Sequence, residues 1–448
     1  MPVPGTTPPA GPLGRSARYL RTVAELARHP YEGTENLYRT YGPVWRLGSG
    51  KLAYVYLLGP EANRFVFANS QLFRWREAFE QLIPVDGETA LIVSDGEEHH
   101  RRRRLVAPAF HHREVDGYVE IMRTFADEAI DAWRPGQTLD AYEELRSVIR
   151  RITVRVLFGE RLAADQRTLG RQLQLVLDLI NQSPLVQQVQ RWGLPSYRRA
   201  TAARAEVARR VLTEVEHRRA HPDEDQHDVL TLLTAARDED GARLSDVEII
   251  DQVVSLIAAG YDSTSAAIAW AVHAMARDPK VWERARAETE EVLGSRPVTA
   301  ADLPKLPYLD HVVNETLRLY PAAPFNARKA AESFTFEGHR IPRGALIVLS
   351  AYVTHRLPEV WRDPESFLPE RWDPAEPGYR KAGPHEFLPF GGGPHRCIGA
   401  TFASVEMKVL LAQLVRRVSL QLPRVPAKPV GFTVMRPERL PVRVRSRD

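Results

Sequence analysis

The sequence is almost without cysteine: Cys397 is the only one in 448 residues. A lone thiol closes no internal disulfide, which excludes the framework of a small secreted scaffold and leads us to expect a reducing compartment. Neither sign of charge prevails, since 61 Lys and Arg face 57 Asp and Glu for a net charge of +4. That is too even for a protein that neutralises many nucleic-acid phosphates at once. No apolar run approaches the roughly eighteen residues of a membrane span. The opening MPVPGTTPPAGPLGRSARYL is Pro- and Gly-rich and lacks the charged-then-apolar order of a signal peptide. Internal repeats and linkers are missing as well. The expectation is a single cytoplasmic domain over residues 1–448, with a Pro-rich leader at 1–30, no membrane anchor and no nucleic-acid partner.

An apolar fraction of 44% and a charged fraction of 26% are those of a compact globular chain. Helical spacing dominates from about Gly117 to Arg237, with a break at AHPDEDQHD. Ser245, Asp246, Val247 and Glu248 spell a capping box, the mark of a helix start. The helix that follows can run to about Arg277, roughly 45 Å at the usual rise per residue, and its nearly all-round apolar surface predicts a central position. A further helix covers about Leu309 to Leu319 and stops before Pro321. SFTFEGHRIPRGALIVLSAY alternates and turns at Glu337 and Gly338, as short strands do. Phe402, Val405, Val409 and Ala412 recur at helical spacing and predict a last long helix. VWRLG and KLAYVYLLG flank Ser49 and Gly50 and read as a β-hairpin. Gly48, Gly50 and Ala53 form a loose dinucleotide-binding fingerprint there, but a strand follows where that motif needs a helix. The fold class is mainly α with a small β subdomain.

The lone thiol lies in GGGPHRCIGA. A single cysteine is ordinarily a small core hydrophobe, but Phe390, Gly393, His395, Cys397 and Gly399 give F-x-x-G-x-H-x-C-x-G. A thiolate that binds iron within a flat macrocycle needs a loop able to turn tightly and pass close, which Gly391 to Gly393 provide. Backbone N–H groups after Cys397, where a helix begins, temper its negative charge. Zinc is a poor fit, because no further Cys or His ligands stand at suitable spacing. The pattern resembles that of the cytochrome P450 family, the haem-thiolate monooxygenases, and the resemblance extends over nearly the whole chain. It implies the P450 fold, with haem b (iron protoporphyrin IX) between the long central helix and the Cys loop and final helix. It further implies that Cys397 is the axial iron ligand, that Phe390 and His395 belong to the cofactor site, and that O2 is the co-substrate.

Further constellations support the resemblance. Glu315 and Arg318 form E-x-x-R, and Pro369, Glu370, Arg371 and Trp372 look like the family's P-E-R-F/W element, whose arginine joins that pair in a buried structural triad. His99 and Arg103 stand four apart on one helix face, the spacing with which bacterial members clamp a haem propionate. Arg328 in NARKA resembles the family's other propionate-binding arginine. His99, His100, His111 and His112 do not read as a metal cluster, since neighbouring helix positions point apart. Arg101, Arg102 and Arg104 are either solvated charge or a docking patch for an acidic electron donor.

AAGYDSTSA sets Gly260 inside a helix, where it costs about 1 kcal/mol relative to Ala. The stretch matches the family's A-G-x-D/E-T-T/S, in which the acid and the next alcohol pass protons to dioxygen before the O–O bond breaks. Asp262 fits; Ser263 stands where Thr is usual and lacks the methyl that restricts the rotamer. Thr264 is either an assistant or helix packing, and a mid-helix polar kink is the plain alternative for the whole group. The resemblance implies a haem-dependent monooxygenase that inserts one atom of O2 into a small lipophilic substrate by hydroxylation or epoxidation. Its electrons would come from a separate ferredoxin or flavodoxin with its reductase. A peroxide-driven haem enzyme and a non-catalytic gas sensor are the competing readings. Pocket walls are expected from Phe79 to Ile92, Leu175 to Leu194, Leu256, Ala259, Ala322 to Phe325, Val434 and Met435.

Overall fold

A computed structural model describes residues 17–48, 53–164, 166–180, 193–221 and 227–445. The hairpin turn expected at Ser49 and Gly50, most of the Pro-rich leader, parts of the 175–194 wall and the break in AHPDEDQHD lie outside the described residues. The chain divides into two compact units. The first comprises Met1–Glu80, Leu317–Phe367 and Arg380–Cys397; the second comprises Gln81–Thr316, Leu368–Tyr379 and Ile398–Asp448.

Alternating side chains build the first unit. Strands β1 (Val44–Leu47), β2 (Tyr54–Leu57), β3 (Phe73–Arg74), β4 (Phe325–Ala330) and β5 (Leu346–Ser350) form one sheet in the order β1-β2-β5-β4-β3. β1 and β2 pair antiparallel with Val44 opposite Leu57, which is the expected hairpin pairing. β2 runs parallel to β5, and β4 is antiparallel to both β5 and β3. Because successive side chains face opposite ways, Val55, Leu57, Ile347 and Leu349 reach one buried cluster with Val66, Phe73 and Ile341. A separate hairpin, Phe334–Phe336 with His339–Ile341, turns at Glu337 (φ 46°) and Gly338 (φ 77°). Two successive left-handed residues make the tight turn whose twist suits paired strands.

Helices make up most of the second unit. Those that matter below are α1 (Gly96–Val106), α2 (Ala141–Ala163), α3 (Pro195–Ala220), α4 (Asp246–Arg277), α5 (Pro307–Leu319, whose last residues from Leu317 belong to the first unit) and α6 (Ala400–Arg417). α4 begins where the capping box predicts: Ser245 Oγ accepts from the Glu248 N–H at 3.2 Å, and Glu248 Oε2 accepts from the Ser245 N–H at 2.9 Å. It ends at Arg277 and is buried along nearly all its length, as its apolar circumference requires. A short sheet joins Pro441–Arg445 to Thr138–Asp140 and Ser419–Gln421. The stretch Gly393–Arg417 is long and apolar enough to cross a membrane by composition alone. Within it, Glu406 to Val415 are buried in protein, which is the behaviour of a core helix.

Candidate active site

In the first unit, the thiol is carried by a loop that its own backbone closes. Gly391 N–H donates to Leu388 O at 3.0 Å, Arg396 N–H to Gly393 O at 3.1 Å, and Cys397 N–H to Phe390 O at 2.9 Å. Gly391 and Gly393 both take φ 67°, a left-handed backbone that side chains disfavour. A Cβ on Gly392 would stand 2.5 Å from the Phe67 ring, so only glycine lets the loop lie against it. Cys397 is exposed and Phe390 half-buried.

His395 and Arg328 meet on a residue that sequence reasoning missed. The His395 ring stacks on Trp75 with centroids 4.2 Å apart and planes at 5°. The Arg328 guanidinium lies 3.9 Å from the Trp75 ring centroid, a cation–π contact worth about 1–2 kcal/mol when desolvated. Arg328 also donates to Asn326 Oδ1 at 2.5 Å and to Ala327 O at 2.7 Å, and is buried. β3 pairs with β4, with Arg74 opposite Lys329, and Trp75 follows directly after Arg74. Only the paired strands reveal this, which is why FRWRE and NARKA gave no local signal.

In the second unit, α4 opens on one side. Leu256, Gly260 and Ser263 are half-buried and Ala259 is exposed, while Asp262, Thr264 and Ser265 are buried. Leu256, Ala259, Gly260 and Ser263 stand at i, i+3, i+4 and i+7, a strip along the helix, while Ala258, also half-buried, packs against the Val85 cluster. A Cβ on Gly260 would meet nothing within 4 Å, so the glycine keeps that strip low. Ser263 lies on the strip, its Oγ donating to Ala259 O at 2.7 Å. Thr264, one position on, is buried. Asp262 turns toward α2, where Arg146 donates to its Oδ1 from Nε at 3.2 Å and from Nη2 at 3.1 Å. Arg146 also rests 4.9 Å from the Tyr261 ring centroid. Of the expected walls, Leu256 and Ala259 join the strip, whereas Met435 is buried and its carbonyl accepts from Trp270 Nε1 at 3.0 Å.

On α1, His99 is buried and Arg103 is half-buried one turn later. Arg101 and Arg102, read as either solvated charge or a docking patch, are half-buried and paired. Arg101 donates to Glu248 at 2.8 Å and pairs with Asp238 at 3.3 Å; Arg102 donates to Glu248 at 2.9 Å and pairs with Glu98 at 2.7 Å. Glu248, the N3 member of the α4 capping box, thereby ties α1 to the start of α4. Arg104 is exposed and pairs with Glu239 at 3.0 Å. His100 is exposed, and no cluster of three metal-ligating side chains occurs among the described residues.

The E-x-x-R element is buried. Glu315 Oε1 accepts from Arg371 Nε at 2.9 Å and from the Leu368 N–H at 2.9 Å, and Glu315 Oε2 accepts from Trp372 Nε1 at 2.9 Å. Arg318 donates to the carbonyls of His355, Pro364 and Ser366 at 2.7–2.9 Å. These bonds tie α5 to the chain around residues 355 and 364–372.

Within the first unit the chemistry suits iron protoporphyrin: a thiol on a tight loop is a ligand for iron, and the buried Arg328 guanidinium, on the same Trp75 ring as His395, suits a carboxylate. Comparisons agree. The cytochrome P450 family model matches residues 10–441. The cytochrome P450 139 protein of Mycobacterium tuberculosis is 52% identical over 86% of this chain and 90% of its own length. The cyclooctat-9-en-7-ol 5-monooxygenase of Streptomyces melanosporofaciens is 33% identical over 92% of this chain and 88% of its own. The retinoic acid-bound cyanobacterial CYP120A1 structure superposes with a TM-score of 0.86 at 26% identity, covering 100% of this chain and 99% of that one. Thiol loop, acid-alcohol pair and family match together assign the chain to the cytochrome P450 family, the haem-dependent monooxygenases.

Proposed function

We propose that Cys397 would supply the thiolate ligand of a haem b iron, that His99, Arg103, Arg328 and His395 would hold its propionates, and that Phe390 would shape the thiol loop. The observation that carries this reading is the exposed Cys397 thiol on a loop whose glycines and three backbone hydrogen bonds leave it one shape. Haem supplies the activation of O2. This chain's residues supply position and protons. Ser263 Oγ–H is available on the strip once it leaves the Ala259 carbonyl, and Asp262, turned toward Arg146, is the acid that replenishes it.

The substrate is a small lipophilic molecule that rests on Leu256 and Ala259. The names of two relatives, cyclooctat-9-en-7-ol 5-monooxygenase and pentalenene oxygenase, direct the first screen to largely hydrocarbon ring systems. The whole chain acts as one domain in the cytoplasm, with electrons delivered by a ferredoxin or flavodoxin and its reductase. Turnover with surrogate donors under 18O2, using pentalenene and cyclooctat-9-en-7-ol as first probes, tests the reading. One labelled oxygen per product supports it. Product labelled only from water or added peroxide contradicts it.

A further inference from the structure

His355 is a fully buried imidazole in the first unit that the reaction does not use. It follows the single helical turn Ala351–Thr354 at the end of β5. The Leu388 N–H donates to its Nε2 at 3.0 Å, so that nitrogen is bare. The proton is therefore on Nδ1, which donates to the Arg318 carbonyl at 3.0 Å. Arg318 returns a bond from Nη1 to the His355 carbonyl at 2.8 Å. Burial first, then the Arg318 charge, presses the imidazole pKa down to about 3, so this tautomer holds across the working range. The rings of Trp361 and Phe387 stand 6.2 and 5.4 Å from the imidazole and keep it from turning. Trp361 is fixed in its turn by the bond from its Nε1 to Thr354 O at 3.1 Å.

Leu388 is where the thiol loop begins. Its carbonyl accepts from the Gly391 N–H, and the Phe390 carbonyl accepts from the Cys397 N–H. A sequence of directional contacts thus runs from Arg318 on α5 through the imidazole to the residue that carries sulfur. Apolar packing alone would let the loop slide; a hydrogen bond to one backbone N–H sets both its height and its direction.

We propose that His355 is a positioning residue for the Cys397 thiolate, acting through the hydrogen bond that its Nε2 accepts from Leu388. The proposal rests on the assignment of Cys397 as the iron ligand. Two conservative variants separate the two ring nitrogens. In H355Q the side-chain oxygen takes the place of Nε2, keeping the Leu388 contact and giving up the Arg318 carbonyl. In H355N the amide takes the place of Nδ1, keeping the Arg318 carbonyl and leaving Leu388 N–H without this acceptor. Each variant loses the ring and one hydrogen bond, so a role in packing alone predicts equal effects.

The test uses the haem-loaded proteins: carbon monoxide difference spectra after reduction, midpoint potentials, and urea unfolding by circular dichroism. H355Q should keep the thiolate-type band and the wild-type potential. H355N should raise the ratio of non-thiolate to thiolate form roughly tenfold, the effect of one buried N–H losing its acceptor, and should shift the potential, while the urea midpoints of the two fall alike. Equal spectra and potentials in the two variants overturn the proposal, and so does equal failure of both to fold. A wild-type protein without the thiolate band would instead overturn the assignment of Cys397 itself.

Discussion

Arg146 and Asp262 meet through two hydrogen bonds to one carboxylate oxygen, across 116 residues of sequence. The contact turns the acid of the long helix toward α2 and fixes its direction. Asp262→Asn should lower turnover by about a hundredfold or more, the usual worth of a positioned proton donor, and leave the absorption spectrum of the resting protein unchanged. Arg146→Met strands a buried carboxylate and should cost about 3 kcal/mol in urea unfolding, the lower end of the range for broken buried pairs because Arg146 keeps some solvent contact.

Ser263 lies on the open strip of α4 and Thr264 does not. Ser263→Ala should therefore lower the product formed per NADH oxidised several-fold, with the lost electrons recovered as hydrogen peroxide. Ser263→Thr adds the methyl that restricts the rotamer and should couple at least as well as wild type. Thr264→Val should change coupling little. Product and peroxide measured in the same reactions decide among these.

Legibility in the sequence followed range. The capping box at Ser245 and Glu248, the Glu337–Gly338 turn and the glycine-rich surroundings of Cys397 are local patterns, and the structure places each as read. Arg328 and His395 were each visible, but their meeting on Trp75 depends on the pairing of β3 with β4. Arg101 and Arg102 looked like a surface run because Asp238 and Glu248, which neutralise them, lie more than a hundred residues away. His355 escaped notice for the same reason: Arg318 and Leu388 flank it only in the folded chain.

Charge reversal on α1 separates the two readings of that arginine run. Arg102→Glu places a carboxylate beside Glu98 and Glu248 and should cost about 3 kcal/mol of stability. Arg104→Glu, at an exposed site, should change unfolding by less than about 0.5 kcal/mol. A stable Arg102→Glu protein that is merely reduced more slowly would support the docking reading.

Asp86 gives a pH dependence of definite sign. Burial raises its pKa from 3.8 to about 7, with Asp251 adding to the rise and Ser255 and Arg204 opposing it. The folded chain holds this proton between those values and the unfolded chain does not. The contribution to stability is thus complete below pH 3.8 and is lost as pH rises through 7. Over pH 5 to 8, Asp86→Asn should flatten the fall in unfolding free energy by up to about 3 kcal/mol. An identical slope in the variant would show that Asp86 is already ionised in the folded protein.

The most direct measurement is the difference spectrum of the reduced, haem-loaded protein with carbon monoxide, taken for wild type and for Cys397→Ala. Wild type should show the long-wavelength band of a thiolate-ligated iron, and the variant should lose it while its far-ultraviolet circular dichroism stays unchanged. A wild-type band typical of a nitrogen ligand, or a thiolate band that survives in Cys397→Ala, would contradict the account.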